Sequence, residues 1–475
     1  MTTCRAFAIS ASMAIAVFAS SPTGANAATL SILGKSTKVC QLTGNVDWAT
    51  NQPTAARTDT RFGMQAVDLG FPVDSGTGPL YFLFGDARPS TTGAPIPPDD
   101  ALGVTLRKKA PDSETCLDLN LVSSAPGSFA HPTVQPSILQ GSFNVPTGGA
   151  FVGNEFYAFF WTDHCVAAQP LAPLPDTPLK HALPAGPNAA CPEIPLFNSI
   201  GRSVIARAAP VGSATFDQIH IGTNPFLKTL ATMPNGFVYV SAAQTAPTIS
   251  ISISIVPKPP AVPVFGVARY RASIPYLAMA PHDTFGDPDT WSFYAGTVAG
   301  QPQWVTRAQW DSGHDASGNW TPPAGAELYA DNPFEGLDER CVGEHSVTWN
   351  AALHTWLLVY VCGPYHVEAR TAPHPWGPWS EPTNLLRYTD PNVTCNLIMP
   401  LSGAGCSGLA SYWANPQPGI VQPGFFYAPF VMARYTEDMT PVGQTATRQA
   451  KIYWLLSTWN PYQVVVMTST LQMTD

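Results

Sequence analysis

Five runs rich in aromatic and β-branched residues recur along the chain: 80–85 (LYFLFG), 155–161 (EFYAFFW), 236–241 (GFVYVS), 355–362 (TWLLVYVC) and 452–457 (IYWLLS). Short apolar runs bounded by turn residues predict strands, whereas stretches with a 3.6-residue period are scarce. Each run follows a turn-rich segment, and several follow an earlier strand of smaller residues. The runs lie roughly 75–120 residues apart, which divides the chain into five units. No exact internal repeat accompanies that spacing. Five small sheets, none able to bury both faces alone, can close around an axis and remove their exposed edges. The expectation is therefore all-β, a five-bladed β-propeller with long loop insertions. A large β-sandwich or two β-domains in series are the other architectures with this pattern.

The segment 343–382 is the richest single stretch. It reads as a hairpin, a third strand and an aromatic corner, with Glu344 near the start of its first strand. A two-residue turn at Ala351-Ala352 would place Asn350 opposite Leu353, Trp349 opposite His354 and Cys341 opposite Cys362. Directly opposed residues lie within disulfide reach, so Cys341–Cys362 is an expected bridge. The Pro- and Ala-rich segments 166–200 and 244–263, the Gly/Pro/Asp-rich segment 311–338 and the segment 391–424 read as loops. Loops on one face of a propeller commonly build its binding site.

Composition fits many short strands joined by turns: 49 Pro and 37 Gly, 45% hydrophobic residues and 12% charged. That hydrophobic content argues against disorder. The formal net charge of −9, with no run of Lys or Arg, makes nucleic acid a poor partner. Residues 1–27 read as a secretory signal peptide, with Arg5, a short apolar core over 6–19 and a small-residue cleavage signal at Ala25-Asn26-Ala27. The apolar core is too short for a membrane span, and no later run approaches the length of one. Residues 28–475 are expected to form a single exported domain, secreted or periplasmic, and monomeric. Beyond Cys4, eight cysteines remain, an even number that reads as disulfides in an exported chain. With Cys341–Cys362, the expected pairs are Cys395–Cys406, Cys165–Cys191 and Cys40–Cys116. No CxxC or HExxH spacing marks a zinc site. No cofactor is expected; a structural calcium on the axis is compatible with a propeller, but no ligand spacing marks one.

Five ordered pieces of the chain resemble a known family. They are Asp68-Leu69-Gly70 with 81–86 (YFLFGD), 145–149 (VPTGG), 266–269 (GVAR) with 291–294 (WSFY), 343–347 (GEHSV) through 375–379 (PWGPW), and 457–462 (STWNPY). Together they resemble the five-bladed propellers of domain-of-unknown-function family 4185. Characterised members of that family form glycoside hydrolase family 183, the endo-D-arabinanases. The resemblance implies a polysaccharide substrate cleaved internally. The long insertions depart from the compact family pattern.

Glycoside hydrolysis usually needs two carboxyl groups, one protonated for the leaving oxygen and one to activate water or attack the sugar. Asp68 stands in an apolar strand, 65–70 (QAVDLG), with no basic neighbour, and is costly there if buried without a partner. Its alternative is a turn cap. Glu344 follows Gly343, which permits close backbone approach; its alternative is an ion pair with Arg340 or another base at a sheet end. The expected roles are Asp68 as base or nucleophile and Glu344 as acid. Asp86, after a strand, is either a plain turn residue or a group that tunes a partner. Asp163 and His164 follow the second aromatic run and could line the same face, or form a solvated loop pair. Arg269 and Arg370 could hold a substrate oxygen or form structural ion pairs. Trp376 could stack on a sugar ring, although its PWGPW setting also suits packing between blades. Asp338-Glu339-Arg340 reads as a surface cluster. No GxSxG elbow supports a serine nucleophile. The rival function is a carbohydrate-binding propeller without catalysis.

Overall fold

The computed structural model describes residues 28–76, 78–89, 99–122, 144–162, 202–208, 227–243, 260–316, 320–330, 340–363, 365–400, 406, 424–444 and 446–474. Its strands form five antiparallel sheets arranged as a five-bladed β-propeller. The N-terminal strand is β1 (Thr29–Gln41). The first blade holds β2 (Met64–Asp74), β3 (Leu80–Pro89), β4 (Asp99–Thr105) and β5 (Asn120–Leu121). The second holds β6 (Asn144–Val152), β7 (Glu155–Thr162), β8 (Arg202–Ala208) and β9 (Leu227–Thr232). The third holds β10 (Tyr239–Ala242), β11 (Ala261–Val267), β12 (Tyr276–Pro281), β13 (Ser292–Val298) and β14 (Gln301–Val305). The fourth holds β15 (Val342–Asn350), β16 (Thr355–Cys362), β17 (His366–Ala372) and β18 (Thr383–Arg387). The fifth holds β19 (Phe425–Val431), β20 (Glu437–Asp438), β21 (Thr447–Trp459) and β22 (Gln463–Thr474).

The first strand of each blade lies innermost. These strands contact one another in the cyclic order β2, β6, β10, β15, β19 and back to β2. The ring is closed by β1, which pairs antiparallel with β22 as the outermost strand of the fifth blade. The first and last described strands thus lie in one sheet. Hydroxyl groups staple neighbouring blades near the axis. The Val240 amide donates to Thr147 Oγ1 at 3.3 Å, and the Ser457 hydroxyl donates to the Leu69 carbonyl at 3.3 Å. The Ser346 hydroxyl donates to the Pro429 carbonyl at 3.2 Å and accepts from the Val431 amide at 3.0 Å. The apolar core fills the space between blades, with Phe82, Phe84, Phe160, Phe265, Leu455 and Tyr462 almost wholly buried.

Four of the five aromatic runs fall where expected in their blades, on the second strands β3, β7, β16 and β21. The third does not. Residues 236–238 precede a strand, and β10 is the innermost strand of its blade. The expected loop 244–263 also ends early, because β11 begins at Ala261. Pro263 sits inside that central strand, where its missing N–H would ordinarily break a ladder. Its carbonyl accepts from the Ala243 amide at 2.9 Å, so its missing N–H faces that same side, just beyond the end of β10 at Ala242.

The hairpin register also differs from expectation. The turn spans four residues, 351–354, so Asn350 faces Thr355 and Trp349 faces Trp356. His354 takes the left-handed conformation there (φ 52°), and Asn350 Oδ1 accepts from the Leu353 amide at 3.0 Å. A register shift between Val342 and His345 moves the pairing back towards the expected one, with Val342 opposite Cys362. Cys341–Cys362 is nonetheless bonded, with Cα atoms 4.7 Å apart, as are Cys395–Cys406 and Cys40–Cys116. Cys165, Cys191 and the leader 1–27 lie outside the described residues. Among the described residues no helix is long and apolar enough to cross a membrane.

Two tests follow from ring closure. A Cβ on Gly148 would lie 2.3 Å from the Val240 carbonyl of the adjoining blade. Gly148→Ala must push two inner strands apart, and overpacking of this kind costs about 1–3 kcal/mol; a thermal melt should show a drop of several degrees, and an unchanged melt would refute the close approach. Cys40–Cys116 ties β1 of the fifth blade to the first blade across 76 residues. In the chain-entropy account a loop of that length is worth about 4 kcal/mol. The double Cys→Ser variant should unfold at clearly lower denaturant concentration.

Candidate active site

Asp68 and Glu344 stand on the inner strands β2 and β15 of the first and fourth blades. Both are buried, at 7% and 3% exposure. The backbone beneath each is irregular. Asp68 lies between two register shifts in β2, and the next residue, Leu69, is left-handed (φ 60°). Asp86 sits within the shift between Phe84 and Ala87 of β3, itself left-handed (φ 50°). Glu344 lies within the shift between Val342 and His345, and Tyr427 at the start of another in β19. Bulges re-aim side chains and are frequent beside active sites. Here each one turns a polar group that strict alternation would direct into a blade interface towards a common centre.

Around the carboxyls stand four tyrosines and two arginines. The Tyr427 hydroxyl donates to Asp68 Oδ2 at 2.7 Å. The Tyr462 hydroxyl interacts with both Asp68 and Asp86. It comes from the β21–β22 turn, beside the cis peptide bond Asn460-Pro461. The Tyr270 hydroxyl donates to Glu344 Oε1 at 2.9 Å. Arg271 follows Tyr270 in a left-handed conformation (φ 53°), and its amide donates to the Val342 carbonyl of β15 at 2.9 Å. Its guanidinium carbon lies 4.6 Å from the Tyr270 ring centroid and 6.0 Å from that of Phe425. Gly343 makes this possible. A Cβ there would meet Val361 Cγ1 at 2.8 Å, Arg271 Cγ at 3.1 Å and Tyr270 Cε2 at 3.2 Å.

The electrostatics follow from burial. Removal from water drives the Asp68 carboxyl well above the usual range; the neighbouring Asp86 charge and then that of Glu344 push further, against hydrogen bonds from Tyr427 and Tyr462. Burial raises Asp86 to about 6, opposed by the Arg88 charge and the Tyr462 hydroxyl. Burial also raises Glu344, but the Arg271 charge, the Tyr270 hydroxyl and the backbone amides of Glu344 and Ala428 favour its ionised form. Tyr239, Tyr270, Tyr427 and Tyr462 are all raised by burial and stay neutral donors. Carboxyls held this way, in a water-poor cluster with unequal neighbours, can divide acid and base roles near neutral pH.

Three of the expected site residues therefore meet: Asp68, Asp86 and Glu344. Asp68 bonds a tyrosine hydroxyl rather than capping a turn, and Arg340 pairs with Glu327 rather than Glu344; the base near Glu344 is Arg271. Asp163 and His164 lie outside the described residues. Arg269 is exposed, and the arginine that reaches Glu344 stands two residues further on. Arg370 is buried within the fourth blade, donating to the Tyr360 hydroxyl at 3.0 Å and the Ser380 carbonyl at 2.8 Å and stacking 4.0 Å from the Tyr329 ring. Trp376 stacks on His374 at 4.9 Å and meets Trp304 of the outermost strand β14 edge-on at 6.1 Å, remote from the inner strands. Cys341, Cys362 and Glu368 bring three possible metal donors together, but the two sulfurs are bonded to each other and offer no thiolate. Sequence reasoning missed Tyr239, Tyr270, Arg271 and Tyr427. Tyr462 was within a quoted motif, 457–462, but carried no role.

The fold and site together define a five-bladed propeller with a buried carboxyl cluster at its inner strands. Residues 242–468 match the family model described as "Domain of unknown function (DUF4185)". No curated protein matches the chain. Solved structures with a similar course include a candidate hydrolase from Bacteroides ovatus, 9% identical, covering 86% of this chain and 87% of that one with a TM-score of 0.45. Trypanosoma rangeli sialidase is 8% identical, covering 93% and 55%, with a TM-score of 0.38. The catalytic domain of the Coprinopsis cinerea family 62 α-L-arabinofuranosidase is 8% identical, covering 92% and 98%, with a TM-score of 0.34.

The raised Asp86 gives a signed stability test. A carboxyl whose folded pKa lies above its unfolded value stabilises most below the unfolded value, near 3.8, and loses that contribution as pH rises through about 6. Above that range the ionised group opposes folding by up to about 3 kcal/mol, taking about 1.4 kcal/mol per unit. Asp86→Asn should therefore melt higher than the natural protein at pH 7.5 and show little difference at pH 4. A gain that is equal at both values would contradict this electrostatic origin.

Proposed function

We propose that the protein is a glycoside hydrolase acting on an arabinofuranose-containing polysaccharide through a two-carboxylate mechanism. The observation that carries this reading is that buried Asp68 feels the charges of both Asp86 of its own blade and buried Glu344 of the fourth blade. Burying Asp68 and Glu344, with Asp86 half-buried beside them, is costly, and a purely structural core would replace them with apolar groups. A carbohydrate-binding propeller without catalysis has no need of them, which favours catalysis over that alternative. The arabinan substrate rests on the resemblance of the sequence motifs to glycoside hydrolase family 183; the family match over 242–468 is to a domain of unknown function.

The surroundings favour a division of roles opposite to the one expected from strand pattern alone. Asp68 shares its burial with Asp86, and two like charges so placed do not both ionise readily, so Asp68 holds the proton. Burial raises Glu344 as well, but the Arg271 cation nearby opposes that, so Glu344 takes the carboxylate role. In the reaction the glycosidic C–O bond breaks, and the leaving oxygen takes the Asp68 proton. If water adds directly at the anomeric carbon, its proton goes to Glu344 and solvent exchange returns one to Asp68. If Glu344 has first bonded that carbon, water displaces it as the carboxylate and the water proton goes to Asp68, which restores the acid. Neutral tyrosine hydroxyls hold both carboxyls in place.

Incubation with a D-arabinofuranose arabinogalactan and with plant arabinan tests the substrate. Release from neither overturns it. Asp68→Asn and Glu344→Gln should each lower sugar release at least 10²-fold, the usual worth of acid–base help, without lowering the melting temperature. The roles separate on an aryl arabinofuranoside whose leaving group needs no proton: Asp68→Asn should retain activity there and Glu344→Gln should not. The reverse result restores Glu344 as the acid. Asp86→Asn should shift the alkaline limb of the rate profile to lower pH, because it removes the like charge that raises Asp68.

A further inference from the structure

Arg271 is the group in the cluster whose bonding is least complete. Its Nε and Nη2 are buried, and among the described residues neither meets a hydrogen-bond acceptor. Glu344 Oε2 is likewise buried without a donor, although Oε1 is bonded to Tyr270. The two charges are near enough for Arg271 to favour the ionised Glu344, yet they do not pair with each other. A buried donor left unmade costs about 1–3 kcal/mol, more for a charged group. A guanidinium that served only to neutralise Glu344 would do so by a bidentate pair, the geometry that suits it best. Instead the side chain is held elsewhere, stacked on Tyr270 and Phe425, with its backbone left-handed and anchored to Val342. Gly343 leaves the space that this placement needs.

We propose that Arg271 is a substrate-binding residue whose buried N–H groups donate to a hydroxyl oxygen of a neutral sugar, beside Glu344 Oε2. The proposal rests on the reading of the cluster as a glycosidase site and names what that site recognises. A hydroxyl fits because it accepts from Arg271 while its own hydrogen can reach a carboxylate oxygen. An acidic sugar fits poorly. Asp68, Asp86 and Glu344 already surround the position, and a further carboxylate would meet three acidic groups with Arg271 and Arg88 as the only facing cations among the described residues. Hydrogen bonds to a hydroxyl next to the cleaved bond also strengthen in the oxocarbenium-like transition state. Loss of Arg271 should therefore reduce kcat as well as raise KM.

The test uses the full chain in two arms. In the first, Asp68→Asn protein, with its turnover lowered, is titrated calorimetrically with neutral arabino-oligosaccharide and with an oligouronide of equal length. Binding of the neutral ligand should be clearly tighter, and Arg271→Gln in the same background should weaken it at least tenfold, with Arg271→Lys recovering part of the loss. In the second arm, kcat and KM for arabinogalactan are compared between the natural protein and Arg271→Gln, with melting temperatures as a control for folding. Equal neutral-ligand binding with and without Arg271, or preference for the oligouronide, overturns the proposal while leaving glycosidase activity standing. No binding of neutral glycan by the Asp68→Asn protein overturns it too. Neutral-ligand binding that depends on Arg271, with no turnover by the natural protein, would sink the catalytic reading and keep this one.

Discussion

The pairing of β1 with β22 is the constraint on which the molecule depends. Each blade has an inner edge that only the next blade can cover, so five blades are stable only as a ring. The ladder between residues 29–41 and 465–474 joins the first described strand to the last. The Cys40–Cys116 bridge then fastens that closing strand to the first blade. Without closure, β2 and β19 have no reason to adjoin, and Asp68 would lose the Tyr427 hydroxyl, 359 residues away in sequence.

The axial cluster uses this rigidity. Desolvation works against every carboxyl in it, and the surrounding hydrogen bonds only partly offset that cost. The price is carried by a large ring whose inner strands are bulged wherever a functional side chain must face the centre. The left-handed backbones at Leu69, Asp86, Arg271 and Ala428 belong to the same pattern. Left-handed backbones and unsatisfied polar atoms occur elsewhere among the described residues too, but here they coincide with carboxyls and an arginine, as expected where unfavourable features serve a ligand.

Several particulars show how far residue patterns reach. The aromatic runs marked four of the blades because a strand buried on both faces must be apolar almost throughout. The third run misled by one strand position, since its blade starts with a short inner strand and the larger run lies at its mouth. The Cys341–Cys362 bridge was expected from a two-residue turn that does not exist; the true four-residue turn and the later register shift nearly cancel, so the cysteines still meet. Asp68 and Glu344 were legible because a lone acid in an apolar strand is conspicuous. Arg271 was not, because Arg269 in the same segment has an equal claim by pattern. What separates them is a left-handed backbone and a hydrogen bond to another blade.

The sequence by itself determined the β-rich character, the five units, three disulfide pairs and the acids that merit attention, because burial, turn chemistry and cysteine spacing are local properties. Tertiary structure decided which of those acids meet, which arginine serves them and which tyrosines hold them. Those relations cross from blade to blade over hundreds of residues. They depend on bulges that shift register by one position, and a one-residue shift reverses the direction of every side chain beyond it. Single-residue slips of this kind leave almost no mark in the pattern of apolar and polar positions, yet they set where Asp68, Glu344 and Arg271 point.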